Sequence, residues 1–197
     1  MNFDIEMDNF LKIKTTGRDD TNFNFINYPY EPTPYSVLQE LANSGYITKK
    51  DKIIDYGAGK GRVDFYLSFL TKARFLGVEY DERLYKKALQ NKESALSKGR
   101  VDFIHINAKD YEVLEDVTGA YFFNPFSKAI LEEVVSKIKI SLENNKREFK
   151  CFFYYPSKEY QEFLDNHSYF KKLDVIDCRH LFKEEVRECI LCYILKV

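Results

Sequence analysis

The stretch IIDYGAGKGR, residues 53–62, puts three glycines in five positions directly behind an apolar run. Glycine that dense is entropically costly, so backbone is needed there where side chains would obstruct. Outward from it the chain alternates. KIIDYG leads into a helix-period segment in which Val63, Tyr66, Leu67 and Leu70 recur. ARFLGVEY precedes a long helix from about Glu82 to Lys98, with Leu84, Tyr85, Ala88, Leu89, Ala95 and Leu96 on its inner face. VDFIHIN leads to an irregular stretch, AYFFNPF to a helix carrying Ile130 through Leu142, and EFKCFFYYP to a short helical piece. Apolar strands without alternation, separated by amphipathic helices, predict an α/β domain with a parallel sheet covered on both faces. KKLDVIDC and RECILCYIL have no long helix between them and are expected to pair as an antiparallel hairpin at one edge.

In such a sheet a ligand lies beyond the carboxyl ends of the strands, where strand order reverses. The glycine loop closes the first strand and opens a helix, so it stands in that position. Its spacing is Gly57, Gly59, Gly61, with Arg62 where the dinucleotide fingerprint needs its third glycine, so NAD and FAD are disfavoured. The Gly-Lys-Ser/Thr ending of a phosphate loop is absent as well. Asp55 precedes the glycines; it would repel a pyrophosphate and attract an ammonium group. Glu79, at the end of the second strand, is placed to accept both ribose hydroxyl protons. A nucleoside carrying an amino acid fits this pair, and S-adenosyl-L-methionine is such a molecule.

DYGAGKGR, the acid in GVEYD, the third-strand end HINAKDY, and FFNPF resemble, in order, the motifs of class I S-adenosylmethionine-dependent methyltransferases. The similarity covers about Tyr28 to Val197. It implies a Rossmann-like, seven-stranded, mostly parallel sheet with helices on both faces and an antiparallel C-terminal hairpin. It further implies that Asp55, Gly57, Gly59 and Gly61 shape the methionine side of the pocket, that Glu79 holds the ribose, and that Tyr80 lies on the adenine. Asn107-Ala108 stands where the family usually has an acid and a small residue; an Asn carbonyl accepts the adenine amine proton more weakly, and Asp110 is the alternative. Asn124-Pro125-Phe126 resembles the Asn/Asp-Pro-Pro-aromatic signature of amino-group methyltransferases, with a single proline. In that signature, side-chain and backbone carbonyls accept the amine protons while the ring stacks on the substrate. The competing reading is structural: Asn124 as N-cap and Pro125 at the first position of a helix.

A chain of 197 residues with 17 Phe, 15 Tyr and a formal net charge of −1 can bury a core but has no global field to draw it onto nucleic acid or an anionic membrane. The N-terminal residues do not read as a signal peptide, and no apolar run is long enough to span a bilayer, so a cytoplasmic protein without membrane partners is expected. Cys189 and Cys192 have CxxC spacing, but on a strand they face opposite sides, so reduced buried thiols are expected rather than a metal site. His105, His167 and His180 show no metal spacing either, and His105 reads as a core imidazole. Residues 1–27 read as a loosely ordered arm and 28–197 as the methyltransferase domain. Thr33 is expected to cap a helix begun by Pro34. Tyr28, Tyr30 and Tyr35 either form an aromatic lid or dock the arm; Lys60 and Arg62 read as a solvated face, with pairing to a nearby acid the alternative for Arg62. Small molecules, protein side chains and RNA all stay open as methyl acceptors. A cofactor-binding module without turnover is the alternative to an enzyme.

Overall fold

The computed structural model describes residues 3–19, 21, 30–183 and 185–197. The expected boundary between residues 27 and 28, and Tyr28 itself, lie outside the described residues. In chain order the elements are α1 (Phe3–Leu11), α2 (Tyr35–Asn43), β1 (Lys52–Tyr56), α3 (Arg62–Thr71), β2 (Arg74–Glu79), α4 (Glu82–Ser94) and β3 (Val101–His105). Then come β4 (Gly119–Phe122), α5 (Lys128–Asn144), β5 (Phe149–Tyr154), α6 (Lys158–Asn166), β6 (Phe170–Asp177) and β7 (Cys189–Leu195).

The seven strands form one sheet in the order β3-β2-β1-β4-β5-β7-β6. The first five are parallel to one another, and β7 runs antiparallel to both β5 and β6. Strand order therefore reverses between β1 and β4, and the crevice of an open α/β sheet lies at such a switch. Successive side chains of each strand serve opposite faces. Ile54, Tyr56, Phe122 and Phe153 pack with α5 and α6. Ile53, Tyr121 and Phe152 pack with α1, α2 and α3. The continuous apolar strands of the sequence thus meet helices on both sides.

Several local expectations differ from what forms. Residues 3–19 are not a loose arm: α1 carries Asp4 and Glu6 in its first turn, where they suit the helix dipole, and Leu11 and Ile13 are buried in the core shared with α2 and α3. Thr33 does not cap α2; Pro34 holds the cap position, and the Thr33 hydroxyl pairs with the Tyr121 hydroxyl at 3.0 Å. The helix after β2 ends at Ser94, and of its expected inner face Leu89 and Leu96 are exposed. His105 is also exposed; its ring stacks on Tyr85 and its Nε2 lies 2.9 Å from the Tyr80 carbonyl. Cys189 and Cys192 both lie on β7, Cys192 buried and Cys189 half-buried.

Candidate cofactor and acceptor site

A cleft with about 1070 Å³ of empty space, counted out to its mouth, opens beyond the carboxyl ends of β1, β2, β3 and β4. Asp55, Gly57, Glu79, Tyr80, Asn107 and Ala108 line it, and so do Asn124, Pro125 and Phe126. Residues far apart in sequence converge because four strands end at one level. Gly59 and Gly61 do not line the cleft, nor does Asp110, the alternative adenine partner.

All three glycines of the loop have positive φ, from 57° to 86°, where a side chain is strained. What lies against them is largely the protein itself. A Cβ on Gly57 would stand 2.6 Å from Pro125 Cβ, one on Gly59 2.2 Å from the Tyr30 ring, and one on Gly61 2.5 Å from the Phe103 ring. The loop is therefore pinned beneath Pro125 at one end and Tyr30 in the middle. Glu79 fixes it from the side: Gly59 N–H donates to Glu79 Oε2 and Asp81 N–H to Oε1, both at 2.7 Å. Burial raises the pKa of Glu79, while those two amides pull against the rise. Each carboxylate oxygen keeps a lone pair for the cleft.

Behind the loop, Asp55 faces Asp64 of α3 within carboxyl–carboxyl hydrogen-bonding reach, and both are buried. Two adjacent carboxyls in an apolar setting cannot both ionise, so the pair keeps a proton. Burial, with the Glu79 charge adding to it, pushes Asp55 up to about 7. Asp64 is raised well above the carboxylate range by burial and by the Asp55 charge.

Asn107 accepts from Lys109 N–H at 3.2 Å and so caps the short turn after β3 at the cleft wall. Tyr80 is half exposed at the rim. Asn124 has φ of 41°, a left-handed conformation that Asn tolerates, and its side chain bridges two strand ends. Its Nδ2 donates to the Tyr155 carbonyl at 2.5 Å and its Oδ1 accepts from Ser157 N–H at 3.0 Å. It does not cap α5, whose N-cap is Ser127. The Phe126 ring is buried edge-on to Tyr56 and Phe122, with its carbonyl accepting from the Tyr160 hydroxyl. It is Phe123, half-buried beside Tyr154 and Tyr155, that adds a further ring to the cleft wall beyond β4.

Arg62 is not on the solvated face but 2% exposed, and it follows the alternative of pairing with an acid, Asp4. Its Nε donates to Thr15 Oγ1, Nη2 to Thr16 Oγ1, and Nη1 to Asp4 Oδ2 and the Thr33 carbonyl. The guanidinium lies over the Tyr35 ring at 4.3 Å. Thr15, Thr16 and Tyr35 in turn donate to Asp8, whose pKa falls despite burial because these bonds outweigh it. This hub ties the glycine loop to the N-terminal segment. Tyr30, paired with Asp19 through mutual backbone bonds of 2.9 and 3.0 Å, then reaches over Gly59. Of the three tyrosines, Tyr30 therefore covers the loop and Tyr35 is core. Asp19 and Arg83, which share an ion pair at 3.6 Å, are cleft residues that sequence reasoning missed. Neither belongs to a recognisable motif.

The same fold occurs in solved structures of S-adenosylmethionine-dependent methyltransferases. A protein of Pyrococcus horikoshii superposes with a TM-score of 0.66 at 16% identity, each chain covered in full. An RNA methyltransferase from Salinibacter ruber, solved with S-adenosyl-L-homocysteine, gives 0.55 at 17% identity, over 84% of this chain and 94% of that one. An rRNA methylase from Streptococcus thermophilus gives 0.56 at 15% identity, over 85% and 99%. No family model matches the sequence, and no curated protein does.

Proposed function

We propose that this protein is a methyltransferase that uses S-adenosyl-L-methionine and acts on an amino group of RNA. The observation that carries the reading is Glu79: a carboxylate at the end of β2, held by the glycine-loop amide and turned to the cleft at the reversal of strand order. The cleft's donors and acceptors fit the cofactor. Glu79 would take the ribose hydroxyls, Asp55 lies on the side of the amino-acid portion, and Tyr80, Asn107 and Ala108 would enclose the adenine. The neutral or singly charged Asp55–Asp64 pair suits an ammonium group better than a phosphate.

Bound there, the cofactor supplies an electrophilic methyl carbon on a sulfonium. The transfer is an in-line displacement, so what the chain must provide is position and a favourable field. Asn124 is held rigidly by the β5 end and keeps a second lone pair on Oδ1, with which it orients an acceptor amine. Phe123 offers a flat apolar wall to a base. The RNA methyltransferases among the structural neighbours support RNA as the acceptor class. Calorimetric titration with S-adenosyl-L-homocysteine tests the cofactor. Binding to the wild type and at least a tenfold loss in Glu79→Ala, about 1.4 kcal/mol, is expected. No binding to the folded wild type rejects the reading. Transfer of labelled methyl to an RNA pool, and its loss in Asn124→Ala, tests the acceptor.

A further inference from the structure

A second groove, apart from the cleft, runs between the end of α1 and the outer face of α4. Four lysines line it, Lys12, Lys14, Lys60 and Lys87, together with neutral polar residues such as Asn9 and Gln90, and no carboxylate lines it. These lysines come from three separate parts of the chain, and α4 fixes three of their backbones. Asn91 Oδ1 accepts from Lys14 N–H at 2.8 Å, and its Nδ2 donates to the carbonyls of Lys14 and Lys60. Ser94 donates to the Lys12 carbonyl at 2.7 Å. Lys87 lies one helical turn before Asn91, on the same face of α4.

The charge in the groove is poorly balanced. Among the described residues Lys12, Lys14 and Lys60 have no ion-pair partner, and Lys87 has only Asp19 at 3.8 Å, which Arg83 shares. Asp8 is close to the groove, but its oxygens are taken up by Thr15, Thr16 and Tyr35. Lys60 is only 9% exposed, yet its ammonium meets only the Gly17 carbonyl at 3.4 Å and the Tyr30 ring at 4.6 Å. Burial and then the Lys87 charge lower its pKa. Cations on fixed backbones that outnumber the acids beside them, Asp8 and Asp19, and that are floored by amide and hydroxyl groups form a site for anions.

We propose that this lysine groove holds the phosphate backbone of the nucleic acid acceptor. A groove in which four lysines gather is the complement of a polyanion, and phosphate contacts position a strand without reading its sequence. Tyr30, which covers Gly59, also carries Lys60, so the groove adjoins the cofactor loop. The assignment to RNA rests on the function proposed above, while the groove's affinity for a polyanion does not.

The experiment is fluorescence anisotropy of a labelled, mixed-sequence, single-stranded oligoribonucleotide with the full chain, between about 50 and 200 mM salt. Four engaged phosphates give a log–log slope of about −2.8, and the double variant Lys12→Gln/Lys14→Gln weakens binding and brings the slope to about −1.4. Circular dichroism and thermal unfolding of the same samples show that the double variant is folded, and calorimetry with S-adenosyl-L-homocysteine is run beside them. No binding by the wild type, or an unchanged slope and affinity in a folded double variant, overturns the groove. Equal competition by polyglutamate of matched charge would assign it to an acidic protein surface and overturn it as well. If the wild type binds RNA as expected and not S-adenosyl-L-homocysteine, the groove stands and the methyltransferase reading falls.

Discussion

Replacing Arg62 with methionine keeps most of the side-chain volume and removes the guanidinium at the centre of the N-terminal hub. The variant loses charge-assisted bonds to Asp4 at 2.5 Å and to the Thr33 carbonyl at 3.3 Å, bonds to the hydroxyls of Thr15 and Thr16, and the contact with Tyr35. Breaking a buried ion pair from one side costs about 3–5 kcal/mol when the surviving charge is stranded. Here the surviving acids are not stranded. Asp8 keeps its bonds from Thr15, Thr16 and Tyr35, and the Asp4 side chain is 30% exposed and reaches water. The loss is therefore placed at the low end, about 3 kcal/mol. In a chain of this length that lowers Tm by about 6–12 °C. Urea and thermal unfolding measure it, and Arg62→Lys should recover only part, since one ammonium cannot reproduce the fork of bonds. Because the hub carries the segment that places Tyr30 on the loop, the affinity for S-adenosyl-L-homocysteine should fall in the same variant. A destabilisation below about 1 kcal/mol, with cofactor affinity unchanged, would refute the reasoning, since one ordinary hydrogen bond is worth that much.

Two other outcomes follow from the loop. Asp55 and Asp64 titrate higher in the folded protein than in the unfolded chain, so between about pH 4 and 7 the folded state binds more protons and stability falls as pH rises, by up to about 1.4 kcal/mol per pH unit for one proton. Asp64→Asn should flatten that fall in urea unfolding from pH 5 to 8; parallel curves for the two proteins would show that the pair does not titrate there. Gly59→Ala puts a Cβ 2.2 Å from the Tyr30 ring at a φ of 57°, so the ring must leave and cofactor affinity should drop. Tyr30→Ala in the same chain should relieve the clash but not the backbone strain of roughly 1 kcal/mol. Independent, additive effects of the two substitutions would argue against contact between them.

Order along the chain was enough for the architecture. Apolar strands alternating with amphipathic helices dictate a two-faced sheet, because each run must bury both faces. The closing pair of strands has no helix with which to cross over, so it must turn back as a hairpin. The acid of Glu79 and the glycine loop were legible for the same reason: both sit at strand ends, which the sheet brings to one level. The roles within the loop were not legible. Gly59 and Gly61 answer to Tyr30 and Phe103 rather than to the cleft, and those rings arrive from 29 residues before and 42 residues after. Asn124 has the expected position, but its bonds run to the β5 end, which only strand pairing brings near.

The sequence by itself determined what local periodicity and strand ends impose: the α/β sheet, its edge hairpin and the acid-and-glycine pair. Only the tertiary structure decided where the charges go. Arg62 reads as surface, or as the partner of some unnamed acid, because one residue's polarity does not say which acids and hydroxyls fold around it. Lys12, Lys14, Lys60 and Lys87 are scattered through a chain of net charge −1, and only the bonds from Asn91 and Ser94 of α4 to the Lys12, Lys14 and Lys60 backbones gather them into one field. Electrostatic energy depends on distance in space, and a linear sequence does not contain that distance.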